Sequence, residues 1–428
     1  MKSSQFLSTL LILFWIFPSH LLAEQAMSWK DCVQEASTHN HDLLAAVQSL
    51  KAADNSKLAS LGQFLPQVGF NASLGRSGSD NSAEGALSDP AFNQSAGLSL
   101  SAHENLFSGF KDFASVDSSN AQLDIAHAQL DQAKSQLSHD LKQAFYQLLF
   151  SQNQITLLED IADRNRSNEN LVELNYKSGS DNKGSLLQAQ AAGAESNYEV
   201  KQAKRALRVA QQQLAQLLGR PQWDALSVQG NFEIPADPAD PGDYNQLASR
   251  TPAHRQALAR LHLSESQYVT ARSSFLPTLS ANASLFKNGD SFDALSDQGW
   301  SAGLALSFPL FSGGQDFFNF KSAEESKNGA VETLISSDLK TASQLQNSFA
   351  SYQDAVEKTS VQDAFMKASQ TREQIGKAEY LNGLLNFQNW DLLESDLTNQ
   401  QKSSLQTLLG AKNAEANWEL AQGKGEIP

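Results

Sequence analysis

Residues 64–74 read Phe64-Leu65-Pro66-Gln67-Val68-Gly69-Phe70-Asn71-Ala72-Ser73-Leu74, and 211 positions later residues 275–285 read Phe275-Leu276-Pro277-Thr278-Leu279-Ser280-Ala281-Asn282-Ala283-Ser284-Leu285. Seven of the eleven positions are identical. Further echoes keep their order along the chain. Ala96-Gly97-Leu98-Ser99-Leu100-Ser101 returns as Ala302-Gly303-Leu304-Ala305-Leu306-Ser307, and Leu106-Phe107-Ser108-Gly109 as Leu310-Phe311-Ser312-Gly313. Asp140-Leu141-Lys142 returns as Asp338-Leu339-Lys340. An ordered series that spans strand-like and helix-like stretches alike marks an internal duplication.

Each copy has the same grammar. A helix ends at Phe-Leu-Pro, because proline disfavours helical geometry in the residue before it. Two alternating segments follow. Val68, Phe70, Ala72 and Leu74 alternate with Gly69, Asn71 and Ser73, and Ala96, Leu98, Leu100 and Ala102 with Gly97, Ser99 and Ser101. The second copy repeats this with Leu279, Ala281, Ala283 and Leu285, then Ala302, Leu304, Leu306 and Phe308. A period of two is the strand signal, so each copy holds a hairpin. Polar, Gly- and Asp-rich loops are expected over 75–94 and 286–299. Phe107-Ser108-Gly109 and Phe311-Ser312-Gly313 close the hairpins, with glycine allowing the sharp turn.

A very long helix follows each corner. From Phe113 to Tyr176 there is neither proline nor glycine. Its apolar residues keep a seven-residue beat through Leu123, Leu130, Leu137, Ala144, Leu158 and Val172, with a second row at Leu141, Leu148, Ile155 and Ala162. This is coiled-coil spacing, interrupted at Ser151 and Asn165. The second copy's helix is expected over 315–380, with Leu339, Ala342, Phe349, Tyr352 and Val356 on one face. Gly329 and Gly376 make it less regular. Both rods break at short turns, 176–184 and 380–386, and helices return over 185–218 and 388–422. The chain therefore divides into a first unit over 24–219, a Pro- and Asp-rich linker over 220–245, a second unit over 246–423 and a short tail over 424–428.

The ends and the composition set the environment. Lys2 followed by the apolar run Phe6–Phe17 and by Leu21-Leu22-Ala23 reads as a secretory signal peptide over 1–23. No later stretch is apolar enough for a spanning helix. The single cysteine, Cys32, excludes an internal disulfide and has no small-residue approach of the lipidated kind. A formal charge of −15 disfavours nucleic acid and anionic lipid as partners. His39 and His41 have no ligand partner at metal spacing. Asn71-Ala72-Ser73 and Asn282-Ala283-Ser284 fit a glycosylation pattern but fall in strands. No nucleophile elbow, phosphate loop or metal cluster is seen, so neither catalysis nor a cofactor is expected.

Two hairpins give four strands per chain, too few to close a barrel. Open edges cannot sit in lipid, because their backbone groups would stay unpaired. Three chains would supply twelve strands in one closed barrel, with the helices as a long tube below. The fold class expected is mainly α with a small β part, built of long antiparallel helices and two hairpins and working as a homotrimer.

The order of these elements, the Phe-Leu-Pro motifs, the Leu-Phe-Ser-Gly corners and the Tyr-x-x-Gly helix turns resemble the TolC-like outer-membrane efflux proteins. Trp29-Lys30-Asp31-Cys32-Val33-Gln34-Glu35-Ala36 also looks like that family's first helix. The resemblance covers residues 24–423. It implies a homotrimer in outer-membrane lipid with a large periplasmic part. It also implies docking to a periplasmic adaptor (a membrane fusion protein) and, through it, to an inner-membrane transporter that exports small molecules or proteins. On this basis the turn tips at Gly179, Ser180, Gly383 and Leu384 dock the adaptor. The acidic-x-x-acidic motif after the second turn, Asp391-Leu392-Leu393-Glu394 with Asp396 nearby, forms a gate at the periplasmic entrance. The segment before it is about two residues longer than the family pattern and carries Phe387 and Trp390. Asp391 and Glu394 share a helix face, and three copies would form a ring that favours cations. The same residues also fit an ordinary solvated helix face. Trp300 and Phe292 fit either an aromatic girdle at the membrane surface or local packing. The competing reading of the whole chain is a trimeric coiled-coil scaffold or surface protein without an open channel.

Overall fold

The computed structural model describes residues 26–79, 91–221, 226–234 and 239–428; the signal-peptide segment over 1–23 and residues 80–90 of the first expected loop lie outside the described residues. Helix α1 (Trp29–His39) and α2 (His41–Leu61) lead into β1 (Gln67–Ser79) and β2 (Ala91–Phe107). The rod α3 (Lys111–Ser178) follows and returns as α4 (Lys183–Leu218). Short α5 (Tyr244–Ala248) and α6 (Pro252–Ser273) then lead to β3 (Thr278–Gly289) and β4 (Leu295–Ser307), and the chain closes with α7 (Gln315–Leu381) and α8 (Phe387–Ala421). At about 1.5 Å per residue, α3 is on the order of 100 Å long.

The two hairpins form one antiparallel sheet in the order β1-β2-β3-β4. The register puts the apolar sets together. Phe70 faces Leu100, Leu100 faces Leu285, and Leu285 faces Trp300. The opposite face carries Asn71, Ser99, Ser101, Asn282 and Ser301, so both glycosylation-like asparagines stand on the polar side. There Asn282 bonds His103 at 2.6 Å, and Ser284 bonds Ser301 at 2.9 Å. On the apolar face, Val68, Phe70, Leu304, Leu306 and Trp300 are each about 70% exposed. The strands run further than their alternation suggests. Residues 75–79 and 91–94, expected as loop, pair as strand, and the second loop shrinks to a short 3-10 turn at Phe292–Ala294 with its flanks. Ladder bonds are made by backbone, so polar side chains such as Arg76 and Gln94 extend the sheet as well as apolar ones do.

The corners differ between the copies. In the first, Gly109 and Phe110 both take left-handed geometry (φ 65° and 71°); in the second, Gly313 and Gly314 do (φ 66° and 87°). Phe110 pays a steric cost that Gly314 avoids, and its ring packs edge-on against Phe107 at 5.3 Å.

Below the sheet, α3 is the central rod. It packs along α2 and α6 over one part of its length and along α4 and α8 over another, while α7 packs on α6 and α8. The helices thus form one layer with α2 and α4 on one margin and α7 on the other. The seven-residue rows mark the seam, since Leu137, Leu141, Ala144, Leu148, Leu158, Ala162 and Val172 are all buried. Ser151 interrupts the row at no cost, because its hydroxyl donates to the Gln147 carbonyl at 2.9 Å. In α7, Ala342, Phe349, Tyr352 and Val356 are buried as expected, but Leu339 is 65% exposed on the α7 margin. A single chain brings no partner helix to that side.

The largest core lies midway. Leu141, Phe145 and Leu148 of α3 meet Cys32 of α1, Leu214 and Leu218 of α4, and Leu226 of the linker. The linker is therefore more than a tether. Its backbone pairs with Met27 through Val228, and the Gln152 side chain brackets Val228 with two 3.0 Å bonds. The tail over 424–428 is also held. Glu426 accepts from the Trp29 indole at 2.7 Å, and Ile427 is buried. Burial pushes the Cys32 thiol up to about 12, as suits a core residue.

Candidate functional site

The end of the helical layer is built by two turns of one design. Each reads Tyr-x-x-Gly-x-x-Asn: Tyr176 to Asn182 and Tyr380 to Asn386. Gly179 (φ 80°) and Gly383 (φ 72°) take the left-handed geometry that ends a helix. Asn182 and Asn386 cap the returning helices by accepting from the amides of Ser185 and Asn389. The tips themselves point to water: Gly179, Ser180 and Gly383 are exposed, and Leu384 is 79% exposed.

Behind the tips the two hairpins are fastened to each other. Trp390 is 1% exposed and stacks on Tyr380 with ring centroids 4.4 Å apart and planes at 15°. Phe387 meets both rings edge-on. This cluster from α7 and α8 packs on Val172 of α3 and Ala189 of α4. The Tyr380 hydroxyl donates to Asp181 in the first turn and accepts from Asn175 at 3.0 Å. Burial, then the Asp181 carboxylate, pushes the phenol up to about 12, so it stays a donor. The Leu393 side chain of α8 lies over Gly376 of α7 and would have to shift if a Cβ were added there. The segment between Gly383 and Asp391 thus supplies Phe387 and Trp390 to the aromatic fastener.

The three acidic residues go to different places. Glu394 is 6% exposed and turned inward, with Arg164 Nε of α3 lying 2.9 Å from its Oε2. The same guanidinium donates to Thr398 and Gln401 at 3.0 and 3.1 Å. Glu373 of α7, 7% exposed, stands opposite Glu394 in the α7–α8 register, between the Ser369–Asp396 and Gly376–Leu393 contacts. Burial first, then Glu394, pushes the Glu373 carboxyl up to about 7. Asp391 is half-buried and lines a cleft of about 210 Å³ between α8 and the α3–α4 hairpin, and burial followed by Glu394 raises its carboxyl. Asp396 faces α7, where the Ser369 hydroxyl donates to it at 2.7 Å and Arg372 lies at 3.5 Å. Asp391 and Glu394 do share a face, and it is turned towards α3 and α4.

Arg164, Glu373, Tyr380 and Asp181 were not singled out from the sequence. The repeated Tyr-x-x-Gly motif marks the Tyr380 turn, though not the hydroxyl's partners. Nothing local identifies Arg164, which stands 230 residues before Glu394.

A family model described as outer membrane efflux protein matches residues 32–220 and 244–423. No curated protein matches. Among solved structures, the outer-membrane channel OprN shares the fold with a TM-score of 0.80 at 21% identity, over 93% of this chain and 90% of that one. The outer membrane protein VceC of Vibrio cholerae gives 0.79 at 20%, over 93% and 96%. The open-state outer membrane channel MtrE of Neisseria gonorrhoeae gives 0.80 at 17%, over 92% and 89%.

Proposed function

The chain belongs to the outer membrane efflux protein family, as an efflux channel of the outer membrane, and from that premise we propose that three copies form one duct that receives cargo at the helix tips. The observation that carries this reading is the sheet. It is apolar on one face, polar on the other, and open along β1 and β4. In lipid such edges leave backbone groups unpaired, and joining β4 of one chain to β1 of the next removes them. Twelve strands then enclose a lumen lined by Asn, Ser and Gly, with the apolar face towards lipid. The same joint covers the helical margins, which expose Leu187, Tyr198 and Val209 on α4 and Leu339, Val361 and Phe365 on α7.

At the far end, Gly179, Ser180, Gly383 and Leu384 form the surface that a periplasmic adaptor grips, coupling the duct to an inner-membrane transporter. Asp391, with access to water, supplies the carboxylate that favours cations at the entrance. Glu394 and Asp396 stand behind it and hold α8 to α3 and α7. Export of small molecules or proteins follows from the lumen, and the choice of cargo lies with the transporter.

Mass measurement in detergent should give three chains, and the purified assembly should conduct in planar bilayers. A stable monomer would overturn the barrel. A trimer that stays silent even with Asp391→Asn and Glu394→Gln together would favour the closed scaffold. Cysteines at Ser180 and Leu384 should crosslink to the adaptor, and their failure while a mid-rod cysteine succeeds would remove the tip from the docking surface.

A further inference from the structure

Two buried carboxylates meet behind the tip, with the Arg164 guanidinium set against one of them. Glu373 and Glu394 are both more than nine-tenths buried. Both oxygens of Glu394 and one of Glu373 find no hydrogen-bond donor among the described residues, and the α7–α8 register sets the two carboxyl groups opposite each other, between the Ser369–Asp396 and Gly376–Leu393 contacts. Arg164 is close to Glu394 yet out of line for a hydrogen bond, so its contribution is that of a charge. Two ionised carboxylates facing one another are both acceptors. The donor that the arrangement lacks is a proton.

We propose that Glu373 of α7 and Glu394 of α8 share one proton beside Arg164 of α3, forming a clamp that holds the three helices together while the proton is bound and loosens them when it leaves. This rests on reading the tip as the duct's entrance, and it adds the regulation of that entrance. With the proton on, Glu373 donates to Glu394 beside the Arg164 guanidinium. With the proton off, two negative charges face one positive charge in a site that water scarcely reaches. The other charges around the pair do not supply the missing donor. Lys377 stands one turn along α7 and favours the ionised form of Glu373 only in part. Asp391, one turn before Glu394 on α8, adds negative charge. From α4, Glu195 and Glu199 line the same cleft, and Glu199 is already bonded to Lys402 of α8 at 2.6 Å.

The sign of the effect follows from proton counting. The closed tip holds the shared proton up to about pH 7, whereas an opened tip exposes Glu373 to water with its ordinary value near 4.5. Closed tips therefore bind more protons between those limits, and rising pH favours opening by about tenfold per pH unit there. Above pH 7 both states are ionised and the dependence levels off. Acid closes and neutrality loosens.

The test is hydrogen exchange on the full assembly in lipid at fixed ionic strength, from pH 5 to 8.5, with rates corrected for intrinsic exchange. Protection of α8 over 388–400 should fall between pH 5 and 7 by tenfold or more and be flat above pH 7.5. Glu373→Gln carries its own donor, so its protection should stay high and level across the range. Glu394→Gln, which donates towards Glu373, should flatten the profile as well if the first variant assembles poorly. A slope that survives both changes, or one abolished by Asp391→Asn alone, overturns the clamp. Conductance is recorded on the same samples. An assembly that conducts without the pH slope refutes only the clamp, and one that shows the slope but never conducts refutes only the duct.

Discussion

Trp390→Ala isolates what fastens the second hairpin to the first. The indole is 1% exposed and packs between Tyr380, Phe387, Val172 and Ala189. Deleting a core aromatic costs about 3–5 kcal/mol, within which the stack on Tyr380 accounts for about 0.5–1.5 kcal/mol. The cluster lies at the end of the rods, so the loss falls on local opening of the tip. At about 1.4 kcal/mol per decade, a loss near 4 kcal/mol raises the open fraction about a thousandfold. Hydrogen exchange over 380–398 should accelerate by that order while the mid-rod core around Leu141 and Leu214 stays protected. Single-channel records should show a larger or longer-lived open level. Trp390→Phe is the matched control. It keeps most of the apolar contact and removes an indole N–H that meets no acceptor among the described residues. Burying such a donor costs about 1–3 kcal/mol, so this variant should stay close to the parent. Unchanged exchange at the tip in Trp390→Ala, or equal acceleration along the whole rod, would refute the idea that this cluster is a local fastener.

Tyr380→Phe keeps the stack and removes the hydroxyl that bridges Asp181 and Asn175, so exchange at the tip should rise by a factor set by about 1.5–3 kcal/mol, the range for a bond to a charged group. Leu304→Arg on the apolar face should cost about 2–4 kcal/mol if the residue sits near the bilayer midplane and cut the yield of assembled trimer on unheated gels, whereas Ser301→Arg on the polar face should assemble normally. Phe110→Gly gives the first corner the residue of the second and relieves a left-handed cost of about 1–2 kcal/mol. The melting temperature should hold or rise, and a fall would show that the Phe107 contact outweighs the backbone relief.

Much of this molecule was written locally. The duplication, the hairpins, the long rods and the glycine turns follow from periods of two and seven, from proline and from glycine, because those signals act on neighbours in sequence. The buried rows at Leu137, Leu141 and Leu148 and the exposed tips at Gly179 and Gly383 were legible for that reason. Hairpin length was not, since backbone pairing continues through polar residues that carry no strand signal. The acidic residues show the limit most clearly. Sequence placed Asp391, Glu394 and Asp396 on one helix just beyond a turn. Only the packing of α8 against α3 and α7 decided that Glu394 meets Arg164 and Glu373, that Asp396 meets Ser369, and that Asp391 keeps contact with water. Those partners lie up to 230 residues away, and a carboxylate's role depends on which charge and how much water the fold brings to it.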